Sequence, residues 1–198
     1  LLLWHKYDNL VHLLKSGFFI MLSTLVRYDG WFLLVVVTGL IFIHKLIKKG
    51  WAQAEGTSLL FGTLAGFGIV LWFGWNLLIF KDPLYFAFGP YSAHTQQAQL
   101  ERGGVLRSKG NLVNSTHTYL LSMIYNSTTF LSLLGLVGLA YLALDRRLTP
   151  ATRLASSTLV TPLLFNILAL ILGHSVLYVP DLAGNTWFNV RYGVMMVP

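Results

Sequence analysis

Three short polar runs hold most of the residues that can do chemistry. The first is Arg27-Tyr28-Asp29-Gly30-Trp31. The second is Lys81-Asp82-Pro83-Leu84-Tyr85-Phe86 followed by Gly89-Pro90-Tyr91-Ser92-Ala93-His94, and it continues to Gln96, Gln97 and Gln99. The third is Asn189-Val190-Arg191-Tyr192-Gly193. Each sets Arg or Lys beside aromatic rings, and the first two add a carboxylate. Guanidinium forks bind phosphate oxygens in two-point geometry, and aromatic rings cover sugar faces or lipid tails. The combination therefore suits a lipid-linked anionic ligand. The plainer alternative for Arg27 and for Arg191 is snorkelling, in which the charged head simply reaches the lipid headgroups.

Other chemistries find less footing. His5, His12, His44, His94, His117 and His174 are scattered, and no pair has the HExxH spacing of a zinc enzyme. No cysteine is present, which removes disulfides and thiolate metal sites. No cofactor is expected, although the sequence leaves a divalent metal open. Ser92 lacks the G-x-S-x-G context of a hydrolase nucleophile. Neither a phosphate-binding GxxxxGK[ST] loop nor a dinucleotide fingerprint occurs. Asn114-Ser115-Thr116 and Asn126-Ser127-Thr128 match glycosylation sequons, a pattern short enough to arise by chance.

The elements that must position these runs are apolar. Of the 198 residues, 55% are hydrophobic and only 11% charged, where a soluble domain carries roughly a quarter charged. The mean hydropathy is +0.64. Apolar stretches of about 18 residues or more mark membrane-spanning helices. The chain is accordingly expected to be all-α, a polytopic transmembrane bundle of about four to five membrane helices with an extracytoplasmic polar loop and short-helix region. Residues 31–47, 57–80, 119–144 and 154–179 are the predicted spans, with Pro162 a candidate kink in the last. Residues 9–26, interrupted by His12 and Lys15, predict a tilted span or an interfacial helix. Gly62 and Gly66, and then Gly135 and Gly138, are candidates for close helix packing. Trp31, Trp72, Trp75, Phe80 and Tyr85 fall where belt residues anchor the interface.

The formal charge is +7. The Lys and Arg concentrate in short loops between apolar spans, as orientation signals do, so no nucleic-acid partner is expected. Loop 45–56 holds three Lys and loop 145–153 three Arg. Both are predicted cytoplasmic, which puts Arg27–Gly30, 81–117 and 180–193 together on the opposite face. The chain starts without Met and stops just after an apolar run restarts. It reads as one transmembrane domain over 1–198, internal to a longer protein.

The order of "LVRYDGW" opening a span, then "WNLLIFKDPLYFAFGPYSAHTQQ", then "FNVRYGVMMVP" opening a later one resembles the middle of bacterial GT-C-type membrane glycosyltransferases, the broad class that includes protein O-mannosyltransferases. The matched pieces span most of the chain. The resemblance implies sugar transfer from a polyprenyl-phosphate donor on the extracytoplasmic face of the bacterial plasma membrane. The implied partners are that lipid-linked sugar, membrane lipids and a larger membrane complex. Arg27 and Arg191 would hold the lipid phosphate or face the donor pocket, and Tyr192 would lie beside Arg191. Asp29 would orient an Arg or touch the acceptor. Asp82, Tyr85, Tyr91, Ser92 and His94 would line the outer cavity. Members of the class carry their catalytic carboxylate in an acidic first outer loop. No such loop is found here, so the catalytic residue is expected upstream of Leu1, and Asp29 is not assigned as the base. The competing readings are a non-catalytic integral membrane subunit and a transporter or flippase for lipid-linked substrates.

Overall fold

The computed structural model describes residues 1–103, 107–145, 147–180 and 187–196. They form two compact units, one from Leu1–Pro83 with Asp145–Thr161, the other from Leu84–Leu144 with Pro162–Pro198. Among the described residues the regular structure is helical, with a single isolated antiparallel bridge between Tyr178 and Phe188.

The first unit is built on α2 (Leu10–Val26), α3 (Asp29–Lys49) and α4 (Trp51–Phe80), each packed against the other two. A short α1 (Leu2–Tyr7) precedes them, and α9 (Pro150–Ser157) lies against α1. At 1.5 Å per residue, α3 is about 31 Å long, the thickness of a bilayer's hydrocarbon core. Both α3 and α4 are long and apolar enough to cross a membrane. Helix α2, at 17 residues, is shorter. The core they share comprises Trp4, Leu13, Ile20, Val37, Ile41, Phe61 and Ala65.

The basic loop expected at 45–56 does not exist as a loop. Lys45, Lys48 and Lys49 end α3, Gly50 alone makes the turn, and Trp51 already begins α4. Gly50 sits at φ 81°, a conformation open to a residue without Cβ. Lysines in a last helical turn also complement the negative end of the helix dipole. One carboxylate ties α1 to this corner: Asp8, left-handed at φ 50°, accepts from Lys45 Nζ and Lys49 Nζ.

Small residues set the helix contacts, though not all those expected. Gly62 and Gly66 meet α3 at ordinary range, with a Cβ lying 3.8 Å from Thr38 Cγ2 or Leu34 Cδ2. The close approach is at Gly68, where a Cβ would come within 2.3 Å of Thr24 Oγ1 and 2.6 Å of Met21 O on α2. Among the described residues nothing lies within 4 Å of a Cβ at Gly135 or Gly138, so no close approach is seen at these two. Trp31 is not a simple belt anchor, because its indole Nε1 donates to Thr24 O at 2.9 Å across the α2–α3 corner. Trp75, 57% exposed, keeps the belt role open.

Two expected spans are broken, one within the second unit and one that begins in the first. Residues 119–144 form the end of α7 (Leu112–Asn126) and all of α8 (Thr129–Leu144), which meet at a bend of 118°. The cause is the polar triplet between them. Asn126 Nδ2 donates to Ser122 O at 2.7 Å, Ser127 Oγ to Met123 O at 3.0 Å, and Thr128 Oγ1 accepts from Leu131 N at 3.2 Å. Short polar side chains that bond nearby backbone end one helix and cap the next. The pair makes at most one span, broken or re-entrant. Residues 154–179 are likewise divided, into the end of α9, a 3-10 turn (Thr158–Val160), α10 (Thr161–Ile171) and an extended segment beyond Gly173. Pro162 opens α10 instead of kinking a long helix, as suits a residue lacking an N–H. Among the described residues there are thus two membrane-length helices, or three if the bent pair counts as one, fewer than the four to five expected. The polar stretch 81–117 does contain the expected short helices, α5 (Tyr85–Phe88) and α6 (Ala93–Arg102).

Two outcomes follow for the first unit. Gly68→Val should lower the detergent melting temperature by several degrees, in line with ~1–3 kcal/mol for overpacking, while Gly74→Ala, with nothing near its Cβ, should not. The Lys45 and Lys49 hydrogen bonds hold the Asp8 carboxyl below its ordinary value. The unfolded chain therefore takes up that proton first. The contribution of Asp8 is complete above about pH 4 and is lost as pH falls through the lower folded value. Acid melts of Asp8→Asn should show a shallower decline than wild type.

Candidate functional site

The third polar run ends in a 3-10 helix, Val190–Met196, packed on α7. Its approach is fixed residue by residue. Tyr178 and Phe188 exchange backbone hydrogen bonds of 3.0 and 3.2 Å. Asn189, left-handed at φ 57°, turns the chain and donates Nδ2 to Val176 O at 2.9 Å. Asn adopts that conformation more readily than most residues. Arg191 then follows, its backbone held on both sides. Val190 O accepts from Asn126 Nδ2 at 2.6 Å and from Ser122 Oγ at 3.3 Å. Tyr192 O accepts from Tyr119 Oη at 3.1 Å, and Tyr119 Oη accepts in turn from Asn166 Nδ2 at 3.3 Å. Gly193 lets the two elements touch, since a Cβ there would lie 2.5 Å from Ser122 O.

These contacts border a cavity of about 630 Å³ lined by Gln96, Trp187, Phe188, Asn189, Val190, Arg191 and Tyr192. The Arg191 guanidinium lies 6.0 Å from the centre of the Tyr192 ring. Trp187, braced edge-on by Tyr125 at 4.8 Å, and Phe188 supply an aromatic wall. The space is large enough for a drug-sized ligand. It combines a guanidinium, amide groups and aromatic faces, and guanidinium groups are suited in general to phosphate oxygens.

The remaining expected site residues fall in both units. Of those in the second unit, Arg191 and Tyr192 line this cavity. Ser92 is buried and works as the α6 N-cap, accepting from Thr95 N at 3.2 Å. His94 packs edge-on against Phe88 at 5.7 Å. Tyr91 is 85% exposed, and its carbonyl accepts from Gln96 Nε2. Tyr85 starts α5 and is half-buried. Arg27, Asp29 and Asp82 belong to the first unit. There Arg27 Nε pairs with Asp29 Oδ1 at 3.1 Å. Its position in the first turn of α3 also places a negative charge at the positive end of the helix dipole. Asp82 is exposed just past the end of α4.

Trp187, Phe188 and Gln96 were not among the expected residues. The aromatic pair directly precedes Asn189 in sequence, so widening the third run by two residues would have found it. Nothing in the sequence points to Gln96 over Gln97 or Gln99. Among the described residues, no group of three or more His, Asp or Glu side chains could hold a metal.

No protein-family model, curated protein or solved structure matches the chain. The class its fold defines is therefore a broad one, an all-helical protein with two or three segments able to cross a membrane.

Gly193→Ala should force the 3-10 helix off α7. A fall of ~1–3 kcal/mol in stability and a shift in tryptophan emission from the displaced Trp187 wall are expected. Gly138→Ala, free of neighbours, should show neither.

Proposed function

We propose that this chain forms part of a membrane glycosyltransferase that moves a sugar from a polyprenyl-phosphate donor to an acceptor hydroxyl on the extracytoplasmic face. The observation that carries the reading is the Arg191 cavity: an arginine whose neighbouring backbone carbonyls, those of Val190 and Tyr192, are held by hydrogen bonds from α7, set beside aromatic side chains in a space of about 630 Å³. The order of the polar runs along the sequence supports it as well.

In this reading the acceptor oxygen loses its proton to a carboxylate and attacks the sugar's anomeric carbon. The bond from that carbon to the phosphate oxygen breaks, and the lipid phosphate leaves with the bonding electrons. Arg191 stabilises the charge that grows on the phosphate. Electrostatic stabilisation of charge that develops in the transition state is usually a large term. Trp187 and Tyr192 cover the sugar or the first isoprene units. The base is assigned to no residue of this chain.

A second reading is a non-catalytic membrane subunit, and α8 favours it. Phe130, Val137, Tyr141 and Leu144 are 72%, 64%, 64% and 78% exposed, a surface suited to lipid or to another protein's helix.

The deciding experiment is a transfer assay on full-length protein in membranes, with a panel of radiolabelled polyprenyl-phosphate sugars. Label should pass from lipid to acceptor, and Arg191→Ala should slow transfer by about 10²-fold or more while the protein stays folded. Wild-type rates in Arg191→Ala would end the phosphate role. Folded wild-type protein that transfers no label would favour the subunit.

A further inference from the structure

The corner where α1 meets the end of α3 is cationic and unused by the proposed reaction. Asp8 there is engaged by two ammonium groups, those of Lys45 and Lys49. Lys45 is buried, 6% exposed, and its Nζ also lies 5.5 Å from the centre of the Trp4 ring. Trp4 in turn meets His44 edge-on at 5.4 Å, and His44 lies 4.2 Å from the His5 ring. Lys48 is exposed and within electrostatic reach of both imidazoles. The His5–His44 pair, its rings tilted by 43°, thus forms a patch of two imidazoles with the exposed Lys48 ammonium in electrostatic reach.

Charge at this end is lopsided. Lys6 is exposed on α1. Helix α9, which touches α1, adds exposed Arg153, whose guanidinium donates to Asp145 O. The opposing carboxylates are Asp8, taken by Lys45 and Lys49, Asp145, whose Oδ1 accepts from Arg147 N, and Glu55, exposed one turn into α4. Around the patch the surface turns apolar. Leu2, Leu3, Ile47 and Trp51 are 46%, 52%, 79% and 64% exposed. A helix of bilayer length puts its last turn at headgroup depth, and Trp is enriched at that depth. Cations beside exposed apolar side chains at this level complement a lipid that has an anionic head and acyl tails.

We infer that the α1–α3 corner is a docking site for the phosphodiester headgroup of an anionic phospholipid, with Lys48, His5 and His44 facing the phosphate and Leu2, Leu3, Ile47 and Trp51 against the acyl chains. Lys45 and Lys49 hold Asp8 and fix α1 over the patch. The inference is independent of the glycosyltransferase reading, since the site belongs to the first unit and its readout is lipid binding.

The test is native mass spectrometry of the full-length protein taken from vesicles of mixed phosphatidylcholine and phosphatidylglycerol, alongside melting curves with each lipid added. Wild type should retain phosphatidylglycerol in preference to phosphatidylcholine and melt higher in its presence. Lys48→Ala should weaken retention about fivefold, the effect of one lysine near an anionic surface. His5→Gln should weaken it further, and Lys48→Arg should preserve it. Lys15→Ala, an exposed lysine on α2, should have no effect. Equal retention of the two lipids, unchanged retention in Lys48→Ala, or an equal loss in Lys15→Ala would each overturn the site. A melting shift reproduced in full by inorganic phosphate would overturn the assignment to lipid.

Discussion

In a low-dielectric setting a peptide group left without a hydrogen-bond partner costs several kcal/mol, and that cost governs where this chain can stop being helical. Its solution is to use short polar side chains as local partners for backbone carbonyls. Thr24 donates to Met21 O, Thr38 to Leu34 O, Asn76 to Trp72 O and Asn166 to Pro162 O. Within a continuing helix such bonds hide a polar group. At Asn126-Ser127-Thr128 the same bonds end one helix, redirect the chain and start the next. The Arg191 segment depends on that economy, because Asn126 also reaches Val190 O.

The uninterrupted helices were legible from hydropathy. Residues 31–47 and 57–80 fall inside α3 and α4, where Thr38 and Asn76 bond carbonyls one turn back and the helix continues through them. The expected spans at 119–144 and 154–179 failed for a shared reason. A sliding apolar pattern averages over residues such as Asn126, Ser127 and Thr128, and it cannot register that their side chains satisfy backbone groups better in a turn than along a helix. Gly173, at φ 71°, ends α10 in a similar way. The basic loop 45–56 was misjudged in the opposite sense, since its charges belong to helical turns and a single glycine suffices for reversal.

Site residues were legible where charge and adjacency in sequence coincide. Arg27 with Asp29 is a pair two residues apart, and Arg191 with Tyr192 is an immediate neighbour pair. The first forms an ion pair of 3.1 Å, and in the second the guanidinium lies 6.0 Å from the ring centre. Ser92 was a plausible ligand by type, but Ser at the start of a helical run is above all an N-cap. The support for Arg191 comes from Tyr119, Ser122 and Asn126, about seventy positions away in sequence. No local pattern could link them, because the connection exists only once α7 and the 3-10 helix have met.

The one-residue turn at Gly50 makes a single object of two helices. With α3 and α4 joined so tightly, they form one antiparallel hairpin with its lysine-bearing turns at the tip. Contacts between partners joined by so short a link also close a minimal loop, so this hairpin is the step of assembly with the least chain entropy to overcome. Gly50 thereby keeps the chain-entropy cost of pairing α3 with α4 low, and α2 packs against both helices of that pair.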